Sequence, residues 1–219
     1  VALLSMFEDV TDQFANIDKS ATGTLTINPR PIELTANDAN NEYTGSTITY
    51  ATAADAVEPY YTITSTGEDE GLAPDQSITA IALTGSGIEK GTYDIVITEG
   101  SVAIGEYTDN YAITLQKGTL SITQNSADIV VVPGSGEKVY DGTALTKTAK
   151  EDFTVTGVPE GFTWTAKADG TVTNVTPGEG EKAVNAVTEF KIFNAAGEDV
   201  TDQFKNINKS ATGELSITP

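Results

Sequence analysis

Carboxylates are the only side chains of this sequence whose type and grouping suggest chemistry. The chain has 219 residues, of which 32 are acidic and 12 basic, and it contains neither cysteine nor histidine. Catalytic Ser-His-Asp and Cys-His sets, thiolate or imidazole metal sites and disulfides are therefore excluded. What remains is the chemistry of paired carboxylates, calcium binding through oxygen ligands, or no chemistry at all.

The densest acidic group lies in one glycine-flanked segment and comprises Glu68, Asp69, Glu70 and Asp75. Calcium takes six to eight oxygen ligands, so a loop of this composition is a candidate calcium site. The alternating spacing of calcium-binding loops is missing, which favours a solvated acidic loop. A glycosidase needs two carboxylates about 5–10 Å apart across a cleft. With 32 acidic residues such a pair arises by chance and is no evidence for catalysis. A catalytic site also needs a concave scaffold, which a small module of strands rarely offers, so we predict that the protein is not an enzyme.

Charge and hydropathy limit the partners. A net charge of −20 and a pI near 4.1 repel phosphate backbones and anionic lipids, which argues against nucleic acid as a partner. No stretch approaches the roughly 20 apolar residues that a membrane-spanning helix needs, so no membrane insertion is expected.

Three aromatic residues are candidate ligand contacts. Tyr60 and Tyr61 are adjacent, and adjacent strand residues point to opposite faces, so one of the two is expected to be exposed. Trp164, the only tryptophan, would stack on a sugar ring if exposed. It shares a face with Phe162 in an alternating segment, which favours a core position instead.

An internal duplication sets the organisation of the chain. The segment at residues 8–27 is nearly repeated at residues 198–217, and a looser copy lies at residues 107–123. Its glycine falls at Gly23, Gly118 and Gly213, a period of 95 residues twice over. This is the size of an independent domain. We therefore divide the chain into the tail of one repeat (residues 1–29), a complete unit (30–124) and a second complete unit (125–219).

Period-two alternation of apolar and polar residues predicts strands throughout, at residues 24–27, 61–64, 94–98, 112–115, 120–123 and 153–156. The segment Asp-Val-Thr-Asp-Gln-Phe is expected to form only a turn or a short 3-10 piece before a strand. Glycine-centred loops at residues 85–87, 134–136 and 178–180 predict chain reversals. The fold class is all-β: tandem antiparallel modules of about 95 residues, β-grasp-like or β-sandwich-like, joined by short junctions as an extended rod.

Each complete unit opens with a tyrosine turn, starting at Tyr43 in one and at Tyr140 in the other. Both tyrosines are followed two residues later by glycine. We expect each ring to pack beneath its turn and to tie its hydroxyl to the backbone.

These turns, YTGSTIT and YDGTALT, together with the D-x-[FY] and G-[TE]-L-[ST]-I-T endings, resemble the MBG-type repeats of large bacterial surface proteins. The resemblance covers both complete units and the leading fragment. It implies a β-grasp-like fold, an extracellular and cell-wall-associated location in Gram-positive bacteria, and a stalk or adhesive role. It brings no catalytic residues with it.

Two functional hypotheses follow. In the first, neighbouring repeats form a spacer that presents a distal adhesive domain; in the second, the modules bind host or dietary glycans or glycoproteins through Tyr60, Tyr61 or Trp164. No cofactor is expected apart from the calcium alternative. A further hypothesis concerns Lys138 and Asn206, near opposite ends of their unit, which would suit a lysine–asparagine crosslink of the kind found in some Gram-positive surface domains.

Overall fold

The computed structural model describes residue 23 and residues 25–51, 60–65, 67–178 and 181–219. The first half of the molecule (residues 30–124) contains β1 to β8, which are Arg30–Ala36, Ala39–Glu42, Ile48–Ala51, Tyr61–Ile63, Leu83–Gly87, Gly91–Ile97, Tyr111–Gln116 and Gly118–Thr123. The second half (residues 125–219) contains β9 to β17, which are Asn125–Pro133, Gly136–Val139, Leu145–Thr146, Phe153–Thr156, Thr163–Ala168, Thr171–Val172, Ala183–Phe193, Phe204–Asn208 and Thr212–Thr218.

The protein is all-β, as predicted, with 3-10 turns at Thr108–Asn110, Lys150–Asp152 and Thr201–Gln203. Within the described residues, no helix is long and apolar enough to cross a membrane. The predicted strands at residues 61–64, 94–98, 112–115, 120–123 and 153–156 are confirmed, although the observed strands begin three residues before the predicted start at 94 and two before that at 120. The prediction at 24–27 is wrong where it is described, because residues 25–27 lie outside any strand.

In the first half, two sheets share a long, bent pair of strands. The first sheet has the order β4-β1-β7 and the second the order β2-β8-β6-β5-β3. The pairs β1·β7 and β2·β8 are parallel, while β4, β6, β5 and β3 join antiparallel. The chain thus runs through β1 and β2 alongside β7 and β8, and both pass from one sheet into the other.

The second half repeats this pairing. One sheet has the order β12-β9-β16 and the other β10-β17-β15-β13, with β9·β16 and β10·β17 parallel. The difference is that β11 and β14 form a separate two-stranded ribbon. The expectation of purely antiparallel modules is therefore wrong: the first and last strands of each half are parallel, and the remaining partners flank them.

The glycine that marks the sequence repeat lies where the strand pair changes sheet. A Cβ on Gly118 would collide with the carbonyl oxygen of Ala36, and a Cβ on Gly213 with that of Gly134. The two backbones approach so closely at this bend that only a residue without a side chain fits. The glycines that mark the 95-residue period, Gly118 and Gly213, are therefore required for the same steric reason in each half.

The glycine loops behave differently from one another. The chain does reverse between β5 and β6, which pair antiparallel, but the reversal lies at residues 88–90, and residues 85–87 are part of β5 and pair with β3. The loop at residues 134–136 does not reverse the chain, because β9 and β10 run parallel to the consecutive strands β16 and β17. Part of the third loop, residues 179 and 180, lies outside the described residues.

Buried apolar side chains form one contiguous cluster that extends through both halves. Alternate residues of the strands supply it, for example Ile32 and Leu34 in β1 and Ile129 and Val131 in β9, all at most 1% exposed. Hydrophobic burial of this kind is the main favourable term for folding. Because the cluster continues across the boundary at Gln124, the contact between the halves is part of the core.

Candidate functional site

The contact between the two halves is built around three aromatic rings. Tyr43, at the end of β2, is 1% exposed, and its ring lies 5.9 Å from that of Phe162 and 6.0 Å from that of Phe204. Phe162 and Phe204 pack edge to face with centroids 5.2 Å apart. Aromatic pairs in this geometry contribute about 0.5–1.5 kcal/mol each beyond their area burial. The three rings thus contact one another, and one of them comes from the first half and two from the second.

The turn after Tyr43 is covered as well. Gly45 has φ +78°, and a Cβ placed on it would lie 2.6 Å from Cζ of Phe162. Glycine is therefore required at position 45 for two reasons: its backbone is left-handed, and the Phe162 ring packs where a side chain would begin.

Hydrogen bonds fix the register of the two halves beside the rings. The backbone N–H of Lys90 donates to Oε1 of Gln203 at 2.7 Å, and Gln203 is 4% exposed. The Lys90 ammonium donates to the carbonyl of Asp202 at 2.6 Å and pairs with its carboxylate at 2.8 Å. An exposed ion pair contributes at most about 1 kcal/mol, so the buried amide contact is the more specific of the two.

The connection between the halves is itself held in place. Asn125 donates from Nδ2 to the carbonyl of Tyr43 at 2.8 Å. Ser126 donates its backbone N–H and its hydroxyl to Oε2 of Glu42, at 3.2 and 2.9 Å. Gln124 donates from Nε2 to the carbonyl of Asp202 at 2.7 Å. Only Gln124 separates β8 from β9. Hydrogen bonds from Gln124, Asn125 and Ser126 hold this connection in place.

The local charges follow from these contacts. The hydrogen bonds from Ser126 lower the pKa of Glu42. The pKa of Asp202 is lowered chiefly by the hydrogen bond from Lys90. Burial raises the pKa of the Tyr43 phenol, and the charges of nearby carboxylates raise it further. Near neutral pH the junction therefore contains ionised carboxylates and a neutral phenol.

The repeated Thr-Asp-Gln-Phe segment explains why Gln203 and Phe204 point at the first half. The carboxylate of Asp199 accepts from the backbone N–H and the hydroxyl of Thr201, at 3.1 and 2.6 Å, which begins the 3-10 turn. These bonds, followed by the ion pair with Lys191, lower the pKa of Asp199 to about 2. The turn ends at Gln203, and β16 begins with the buried Phe204. The predicted 3-10 piece is confirmed, although sequence reasoning missed its role at the junction.

The three candidate ligand-contacting aromatics do not form one exposed platform. Tyr61 is 6% exposed, whereas Tyr60 is 36% exposed and packs edge to face against Tyr50 at 5.5 Å. Trp164 is half-buried against Phe190, with its ring centroid 6.2 Å away. The Lys150 ammonium lies 4.8 Å from the Trp164 ring, in cation–π geometry. Tyr60 is thus the most accessible of the three.

Lys138 and Asn206 have different partners in the structure. Lys138 donates to Asp141 at 2.7 Å and to Thr143 at 2.6 Å. Asn206 donates to the carbonyl of Ser126 and to the carboxylate of Asp128, both at 3.0 Å. Lys138 and Asn206 thus form hydrogen bonds with other residues, and the structure does not bring them together as the crosslink would require.

The acidic loop is organised around an arginine. Arg30 donates to the backbone carbonyls of Glu68, Glu70 and Gly71, at 3.1, 2.6 and 2.9 Å. Among the described residues, no group of three or more acidic side chains is placed to hold a metal ion. The loop's carbonyls thus bind a side chain of the protein, and calcium has no assembled ligand set here.

The two tyrosine turns have different surroundings. Tyr43 is buried as expected, but its ring packs against Phe162 and Phe204 of the second half. Tyr140 is 52% exposed, so the expectation of a packed ring is wrong there. Nothing lies within 4 Å of the position that a Cβ on Gly142 would take, whereas the corresponding space at Gly45 is filled.

Comparisons with known proteins give no match: no family model fits the chain, and no curated protein or solved structure is similar to it.

Proposed function

We propose that this protein is a pair of tandem repeat modules that acts as a rigid spacer in a bacterial surface protein and holds an adhesive domain away from the cell. The observation that carries the proposal is the ring cluster of Tyr43, Phe162 and Phe204, which joins the two halves through a common core. The extracellular, cell-wall-associated location rests on the resemblance to MBG-type repeats.

Two further features support a rigid spacer. The strand pairing of one half recurs in the other, which suits units that are added end to end. Only Gln124 separates β8 from β9, so the halves lack the flexible linker that independently moving domains use.

Double electron–electron resonance tests rigidity directly. Because the chain has no cysteine, spin labels can be attached to single introduced cysteines without background. Thr92 and Thr165 are exposed strand residues in different halves, and Ala112 is an exposed strand residue in the same half as Thr92. Thr92 pairs with Ser121, and Ala112 lies nine residues before Ser121 in the continuous run of β7 and β8, so the two label sites are well separated. We expect the distance distribution for Thr92→Cys with Thr165→Cys to be as narrow as that for Thr92→Cys with Ala112→Cys. A distribution several times broader across the junction would refute the rigid spacer.

Glycan binding is the second candidate, and the exposed edge of Tyr60 beside Tyr50 is the observation that favours it. A glycan array decides between the two. The spacer proposal expects no binding, whereas hits lost in Tyr60→Ala or Trp164→Ala would assign a binding function to the modules themselves.

A further inference from the structure

The second half presents a surface that corresponds to the covered surface of the first half. Tyr43 donates its backbone N–H to the carbonyl of Thr123 at 2.8 Å, and Tyr140 donates its own to the carbonyl of Thr218 at the same distance. Gly45 and Gly142, two residues further on, have φ +78° and +80°. The two tyrosine turns therefore occupy the same place at the end of equivalent strand pairs.

What differs is the cover. Tyr43 is 1% exposed beneath the two phenylalanine rings, and Tyr140 is 52% exposed. Val139 precedes Tyr140, at the place that Glu42 takes in the first half, and it is 65% exposed. We call Val139, Tyr140 and Gly142 the Tyr140 face.

We propose that the Tyr140 face is the docking site for a further module of the same kind, which covers it as the second half covers Tyr43. This inference rests on the proposed spacer function and names the partner of the Tyr140 face. The contact between the two halves at Tyr43 indicates which module would dock on Tyr140. Both phenylalanine rings that pack on Tyr43 belong to the second half, so a further copy of the second half carries the two rings that would cover Tyr140.

The Tyr140 face is more apolar than the corresponding surface around Tyr43, and this difference affects which partner fits it. At the first junction, Glu42 accepts two hydrogen bonds from Ser126. Val139 offers no acceptor, so this edge of the second contact is apolar. The best partner there presents an apolar residue in place of Ser126 and keeps the two phenylalanines. Burial of an exposed valine and a half-exposed tyrosine then favours docking through the hydrophobic effect.

An extended chain tests the proposal. It consists of residues 1–219 with Pro219→Gln, followed by a second copy of residues 125–219, so that the new junction repeats the sequence Thr-Gln-Asn. Nitration of tyrosines by tetranitromethane, mapped by peptide mass spectrometry, reports phenol accessibility. Tyr43 and Tyr107, which are 1% and 42% exposed, are the buried and exposed references in the same molecule.

In the extended chain we expect the nitration rate of Tyr140 to fall about tenfold or more relative to the 219-residue protein, because a covered residue reacts only through local opening. Gly142→Ala is the matched variant. In the 219-residue protein, the new methyl group lies in open space. In the extended chain it meets the phenylalanine of the added copy that corresponds to Phe162, so the nitration rate of Tyr140 should return to that of the 219-residue protein.

Amide hydrogen exchange shows whether the added copy is folded. Unchanged nitration of Tyr140 beside a folded added copy overturns the proposal. An added copy without protected strand amides overturns it too, since the same residues fold when they follow the Tyr43 turn. In either case the spin-label distance across the first junction is unaffected, so this failure is distinct from failure of the spacer proposal.

Discussion

The two glycines of the tyrosine turns allow the strength of the junction to be measured with an internal control. Gly45 and Gly142 have nearly the same φ, so alanine at either position pays the same cost of a left-handed backbone, about 1–2 kcal/mol. Only at Gly45 does the new methyl group also meet a ring, 2.6 Å from Cζ of Phe162. Overpacking of this kind costs about 1–3 kcal/mol.

We therefore expect Gly142→Ala to lower the free energy of unfolding by about 1–2 kcal/mol and Gly45→Ala to lower it by about 2–5 kcal/mol. For a chain of this length, 1 kcal/mol corresponds to about 2–4 °C in Tm. The two variants should then differ by about 2–12 °C in thermal unfolding followed by circular dichroism.

A double variant shows where the extra cost arises. With Phe162→Ala in the background, the methyl group at Gly45 has no ring to meet, and its cost should fall to that of Gly142→Ala. Equal Tm values for the two single variants would refute the reasoning, because the phenylalanine would then not be packed on the first turn. An undiminished cost in the Phe162→Ala background would refute it as well.

Three other outcomes follow from the structure. Gln203→Leu removes the acceptor of the Lys90 amide and should cost about 1–3 kcal/mol in urea unfolding, whereas Lys90→Met, which removes the exposed contacts of the ammonium with the carboxylate and carbonyl of Asp202 and leaves that amide in place, should cost at most about 1 kcal/mol. Asn185 is fully buried and its amide bonds three backbone groups, so Asn185→Leu should lower stability by about 3 kcal/mol in the same assay, and a neutral result would contradict those bonds. The lowered pKa values of Glu42 and Asp202 mean that their stabilisation is complete above about pH 5 and is lost as pH falls through their folded values, which Tm measured against pH should show and Glu42→Gln should weaken.

The buried polar residue Asn185 illustrates what pattern reasoning leaves out. It pairs with Gly213 in the strand register, as Ile95 pairs with Gly118 in the first half, and both side chains are 0% exposed. Alternation of apolar and polar residues fits the core position of Ile95, whereas in the second half the apolar neighbour Val184 is 60% exposed and the polar Asn185 is buried. Alternation does not show that Asn185 bonds the carbonyls of Gly134 and Lys147, because those contacts join residues 51 and 38 positions away.

The sequence by itself determined five of the strands, the 3-10 turn before Phe204, and the 95-residue period, because each depends on neighbouring residues or on one glycine. Parallel pairing of the first and last strands of each half was not predictable from it, since alternation fixes which side chains share a face but not the direction of the partner strand. The two tyrosine turns show the same limit. Their local sequences are alike, yet Tyr43 is buried and Tyr140 is half-exposed, because burial is decided by rings more than 100 residues away along the chain.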